Sequence, residues 1–190
     1  MFRILFAVFF GAFLAHGAVA APKVYELKRD QSRVAFTWFL GEDAITGRMP
    51  VAAAEIVLDF RDVTKSSVMV TVDASKARAG APFAGEAMKG QSVLWTSRHP
   101  EIRFASTRIR RDGEGGAIMD GRLTVRGVTR PQRLTARLFR PAGAEQGDRS
   151  VLTVRLQGSL SRADFGADGF QSFVGDRVDL DIRARVVARE

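Results

Sequence analysis

Reactive chemistry in this 190-residue chain has few parts to draw on. Two histidines are present; His16 lies in an apolar leader, so general acid–base or metal chemistry would rest on His99, with Asp30, Glu86 and Asp164 as the acidic partners. His99 stands in "RHPEIRF", just before Pro100 and at the entrance to a strand, and nothing in the spacing brings two of these four groups together. The tripeptide Asp164-Phe165-Gly166 matches the magnesium motif of kinases. No Gly-rich phosphate loop, strand lysine or catalytic loop accompanies it, so a tight turn with Phe165 packed inward is the better reading. No catalytic residue, metal site or cofactor is assigned. The enzymatic alternative is a lipid hydrolase or isomerase working through those four residues.

The elements that would position any site show a period of two. Val34, Phe36, Trp38 and Leu40 share one face of "VAFTWFL", as do Ile56, Leu58 and Phe60, then Val68, Val70 and Val72. Leu152, Val154 and Leu156 alternate with Thr153, Arg155 and Gln157, and Val178, Leu180, Ile182, Ala184 and Val186 alternate with charged residues. Such alternation marks antiparallel strands wetted on one side. Turn chemistry separates them at 111–116, 119–121, 125–131, 141–148 and 166–169. Only 81–95 departs, with Phe83, Ala84, Ala87 and Met88 at helical spacing, which predicts one short helix. An all-β chain of about eight such strands removes its edges by closing into an antiparallel barrel. A barrel of that size is filled by side chains or holds one small ligand.

Bulk properties set the compartment. Residues 1–20 carry an early Arg3, the apolar run Ile4 to Ala15 and then Ala18-Val19-Ala20, the pattern of a secretory signal peptide cleaved after Ala20. The run is shorter than the ~20 residues of a spanning helix, which disfavours a retained anchor. Residues 21–190 then form one domain, expected in the periplasm. Cysteine is absent, so neither a disulfide framework nor a lipidated cysteine can form. The net charge of +8 is spread over many strands without stacking motifs, which argues against nucleic acid and for a basic surface attracted to anionic membrane.

The most patterned segment is Asp120 to Pro131, "DGRLTVRGVTRP". Leu123 and Val125 face inward, Arg122, Thr124 and Arg126 outward, and Gly121 and Gly127 are read as turn glycines. With Thr124, Val128 and Thr129, it resembles the GxLTxxGxT signature of the YceI-like family of periplasmic lipid-binding proteins. "RDQSRVAF", "HPEIRFAST" at 99–107, and "RADFG" followed by "VGDRVDLDI" match the same family in the same order and cover nearly all of 21–190. The resemblance implies a lipocalin-like eight-stranded barrel whose interior takes a polyisoprenoid, isoprenoid-quinone-like or other long lipid tail. The chain departs from the family at Leu40, where a histidine is frequent, at Trp38, where a smaller aliphatic is usual, and at 84–88, where polar groups are lost.

These readings together make the aromatic and branched inward residues the candidate ligand wall. They are Phe36, Trp38, Phe60, Val70, Trp95, Phe104, Leu123, Val154 and Leu180, with Phe165, Phe170 and Phe173 on the Gly-rich loop "DFGADGFQSFVGD" as a lid. The expected function is non-catalytic carriage of an apolar lipid, by a monomer or a homodimer. The rival is a solid barrel that binds an acidic protein through its basic face.

Overall fold

The computed structural model describes residues 22–81 and 83–189, so the expected signal peptide lies outside the described residues. Eleven strands form one sheet: β1 (Lys23–Leu27), β2 (Arg33–Leu40), β3 (Asp43–Met49), β4 (Val51–Leu58), β5 (Ser67–Asp73), β6 (Arg78–Ala79), β7 (Glu101–Arg111), β8 (Ala117–Val125), β9 (Val128–Phe139), β10 (Val151–Ser161) and β11 (Val174–Ala188). They resolve into eight ribbons, because β1 with β2, β3 with β4, and β5 with β6 are interrupted runs in one direction. Each ribbon pairs antiparallel with the next in sequence. β11 closes the ring, pairing with β10 on one side and with β2 and then β1 on the other. The all-β, eight-stranded antiparallel barrel is therefore the observed fold.

Each interruption has a local cause. A 3-10 turn, Arg29–Gln31, separates β1 from β2. Pro50, lacking an N–H, stands between β3 and β4. Between β5 and β6 the Asp73 carboxylate accepts from the N–H groups of Ser75 and Lys76 and caps the turn Ala74–Lys76. The second and third breaks touch, since Asp73 N–H donates to the Pro50 carbonyl, and all three border one surface groove.

Helix α1 (Ala84–Lys89) has only six residues, shorter than the segment 81–95 that the spacing suggests. Residues 119–121, read as a turn, instead lie within β8. Gly121 has another use: a Cβ there would collide with the Phe104 ring and the Ala105 carbonyl. Gly47 accommodates the ring of Phe36 in the same way. The turn comes later, at Arg126 and Gly127, both with positive φ (52° and 77°), which is the two-residue hairpin geometry whose twist suits flanking strands.

Tyr25, Ile56, Leu152 and Val186 form a buried cluster towards one end of the barrel. Tyr25 is 2% exposed and its hydroxyl donates to the Arg149 carbonyl at 2.7 Å. Burial raises its pKa, opposed by Arg149 and aided by Asp148. The folded state thus holds the phenol neutral above the pH of about 10 at which the unfolded phenol ionises. Stability from this group is complete below that value and falls as pH rises towards and through the folded pKa. Because the chain has one tyrosine, its absorbance titration reports this site alone. The expected midpoint is higher in native protein than in denaturant; coincident midpoints would contradict the buried placement.

Candidate functional site

The ribbons enclose a cavity of about 580 Å³, within the range of small-molecule sites. On β11 its lining runs from Val174 to Val186, roughly 40 Å of strand, or about 30 Å along an axis tilted 35–45° from it. The hollow is long and its wall apolar: the polar residues that touch it are Ser32, Arg33, Gln132, Arg162 and Arg183.

Ten of the twelve residues proposed from sequence border this space: Phe36, Trp38, Val70, Phe104, Leu123, Val154, Phe165, Phe170, Phe173 and Leu180. Phe36 and Trp38 stack with centroids 5.7 Å apart, forming a flat aromatic panel. Phe60 and Trp95 do not border it. β4 ends at Leu58, and the Asp59 carboxylate accepts from the N–H groups of Arg61 and Asp62, turning the chain so that alternation stops. Phe60 therefore packs edge-on against Tyr25, with the Arg149 guanidinium 4.4 Å above its ring. Trp95 sits in a turn with φ 49°, edge-on to His99 and beneath Arg98.

The candidate acid–base residues are dispersed. His99 lies against Trp95 and Gly127, Glu86 pairs with Lys89, and Asp164 contributes its carbonyl to Arg130. None of Asp30, Glu86, Asp164 and His99 lines the cavity. Among the described residues no group of three or more His, Cys, Asp or Glu is placed to hold a metal ion.

Two polar residues overlooked in the sequence govern the wall. Gln132 is buried where the β9–β10 ladder stops at Gln157↔Thr135. Its Nε2 donates to the carbonyls of Arg133 (2.8 Å) and Ser159 (3.1 Å), bridging the gap between the strands. Arg162, 7% exposed, donates from Nε to Gly175 O, from Nη1 to Ala167 O and Gly169 O, and from Nη2 to Val174 O. One guanidinium thus gathers the loop 162–176 that carries Phe170 and Phe173. Beside it, the Ser161 hydroxyl and then the Ala163 N–H hold the Asp176 carboxyl below the usual carboxylate range. Both residues had a sequence signal: Gln132 precedes Leu134 and Ala136, and Arg162 follows Leu156, Gly158 and Leu160, each at an inward position of an apolar alternation.

Phe165 is buried against Leu123 and Val125, whereas Phe170 and Phe173 are 53% and 70% exposed at the mouth. Gly169 N–H donates to the Ser92 carbonyl, so the loop rests on the segment following α1, which the β8–β9 turn also holds through Arg126 to Gln91 O.

The family model of the YceI-like domain matches residues 25–186. A UPF0312 protein of Vibrio parahaemolyticus is 28% identical over 170 residues, covering 87% of this chain and 88% of the relative. One from Serratia proteamaculans is 26% identical over 160 residues, 82% of each chain. Among solved structures, Burkholderia cenocepacia BcnA superposes with a TM-score of 0.75 at 17% identity, over 84% of this chain and 99% of that one. A polyisoprenoid binding domain from Saccharophagus degradans gives 0.60 at 12% identity, over 87% and 98%. At those identities the likeness is one of fold.

Arg162→Lys keeps the charge but loses the planar fork that reaches four carbonyls. Urea unfolding should show a loss of at least about 3 kcal/mol, and limited proteolysis should cut within 166–176. A variant with wild-type midpoint and wild-type resistance would refute the role assigned to Arg162.

Proposed function

The chain belongs to the YceI-like family, and from that premise we propose that it is an exported, non-catalytic carrier holding one long apolar lipid, of polyisoprenoid or isoprenoid-quinone type, inside its barrel. The observation that carries this reading is the hollow itself. A barrel of this strand number is commonly filled by its own side chains, whereas this one keeps about 580 Å³ open behind an apolar wall. That disfavours the solid-barrel rival. Each methylene moved from water into such a space contributes about 0.8 kcal/mol, offset in part by the ordering of the guest. Affinity would come from tail length, and selectivity from cavity length and the few polar groups at its borders.

The mouth supports the same reading. Leu40, Phe170 and Phe173 are all exposed and all line the cavity. An apolar rim on a basic protein suits transient contact with an anionic bilayer, from which a lipid tail could pass without crossing water. The dispersal of Asp30, Glu86, Asp164 and His99 outside the cavity favours carriage over turnover. The leader in residues 1–20 is the basis for assigning the periplasm.

Solvent extraction of the folded protein followed by mass spectrometry should release a lipid, and the emptied protein should take up a fluorescent prenyl probe. Leu180→Trp, which puts an indole into the hollow, should weaken uptake at least about tenfold, or ~1.4 kcal/mol, with little change in melting temperature. No lipid and no uptake would end the carrier reading. For export, the mature chain recovered from a periplasmic extract should begin at Ala21; recovery of an uncut chain from the membrane fraction would instead favour an anchored form.

A further inference from the structure

Residues 83–99 lie between β6 and β7 and belong to no ladder, yet they close part of the cavity, which Met88, Val93 and Leu94 border. Strands hold the chain on either side. Gly80 N–H donates to the Thr46 carbonyl, and the Pro100 carbonyl accepts from Ala74 N–H. Between these clamps the segment is bonded to itself, through α1 and through Leu94 N–H to Met88 O, Trp95 N–H to Gly90 O, Thr96 N–H to Lys89 O and His99 N–H to Trp95 O. Among the described residues two hydrogen bonds tie it to the rest of the barrel: Gly169 N–H to Ser92 O at 2.8 Å, and Arg126 Nη2 to Gln91 O at 3.0 Å.

The docked arrangement carries strain along this seam. Among the described residues, the non-glycine positions with positive φ are Phe83 (59°), Trp95 (49°), Arg126 (52°) and Phe170 (61°). Two lie within the segment, towards its ends, and two on the elements it rests on. Such backbone is disfavoured for residues that carry a Cβ, and it persists only where surrounding contacts impose it. The second terminal nitrogen of Arg126, Nη1, is buried without a hydrogen-bond partner, which is a further cost of docking. Apolar packing offsets these costs: Met88 is buried in the cluster of Phe36, Met49 and Val72, and Leu94 packs on the cluster of Leu123, Val125 and Phe165.

We infer that 83–99 is a flap that swings as one body about its ends, opening the barrel to pass the guest and closing on it once seated. This rests on the carrier reading and names the gate through which that guest passes. The aromatic loop beside the flap is the fixed side of the gate, because Arg162 holds four of its carbonyls. Lifting the flap breaks its two outside bonds and leaves its internal bonds intact. It also relaxes Phe83 and Trp95 and lets water reach Arg126 Nη1. A tail in the cavity favours closure, since it gives Met88, Val93 and Leu94 new apolar contact.

Amide exchange followed by NMR on the emptied full chain separates flap from loop. Gly169 N–H, bonded to the flap, should exchange at least about tenfold faster than Ala167 N–H, bonded within the loop to the Arg162 carbonyl, each relative to its unstructured rate. Loading with dansyl-labelled farnesol should slow Gly169 and leave Ala167 unchanged. In stopped-flow uptake of that probe, the rate should level off at high probe concentration, where opening limits entry. Gly169→Ala, whose Cβ would stand 2.9 Å from the Ser92 carbonyl oxygen, should lift the flap and raise this plateau at least about threefold. Phe83→Asn suits positive φ better and removes a ring that is 91% exposed, so the plateau should fall at least about twofold. Equal protection at Gly169 and Ala167, uptake that never levels off, or a plateau that moves in neither variant overturns the inference. If Gly169→Ala does not fold, Phe83→Asn and the exchange contrast decide. Failure of the probe to enter at all rejects the carrier reading, and the exchange contrast still decides the flap.

Discussion

Closure of the ring by β11 is the constraint on which this structure rests. The strand meets β10 along one side and both β2 and β1 along the other, so no long edge is left to pair with a second chain. Closure matters more here than in a filled barrel, because about 580 Å³ between the walls is left open by side chains. The wall must keep its shape through its backbone ladders. Where a ladder lapses, a side chain takes its place, as the Gln132 amide does between β9 and β10.

The hollow is conserved by local packing against the wall instead of across it. Phe36 and Phe104 lie down over Gly47 and Gly121, whose missing Cβ atoms leave room for the rings. Two large side chains that could have filled the axis are thereby folded flat onto the sheet. At the mouth a single buried guanidinium orders the loop that bears Phe170 and Phe173. A charge at the rim of an oily space is tolerable because four carbonyls receive it. Its planar geometry makes the loop a defined lip instead of a loose cover.

Charge is distributed unevenly over the outside. Some strand arginines reach a carboxylate across the ladder, as Arg133 does Asp120 and Arg155 does Asp181, which neutralises a strongly basic sequence locally. Others face arginine instead: Arg183 stands opposite both Arg33 and Arg155, and Arg48 opposite Arg78. An apolar interior and an unmatched cationic exterior meeting at Ser32, Arg33, Met49 and Arg183 give the molecule an amphiphilic axis.

Strand identity, inward faces and the all-β class were legible in the sequence because a period of two follows from the pleat itself. Seven wall residues followed from that alternation, and Phe165, Phe170 and Phe173 from the Gly-rich loop. Phe60 was misplaced because Asp59 ends the strand one residue earlier, and Trp95 because composition cannot show a turn with positive φ. Gly121 reads as a turn glycine in sequence, since a missing Cβ looks the same in one dimension whether it frees the backbone or accepts a ring. Tertiary structure alone decided that the barrel is hollow: side-chain volume must be compared across strands distant in sequence. It alone aligned Arg183 with Arg33 and Arg48 with Arg78, because register between strands is set by pairing in space and not by order along the chain.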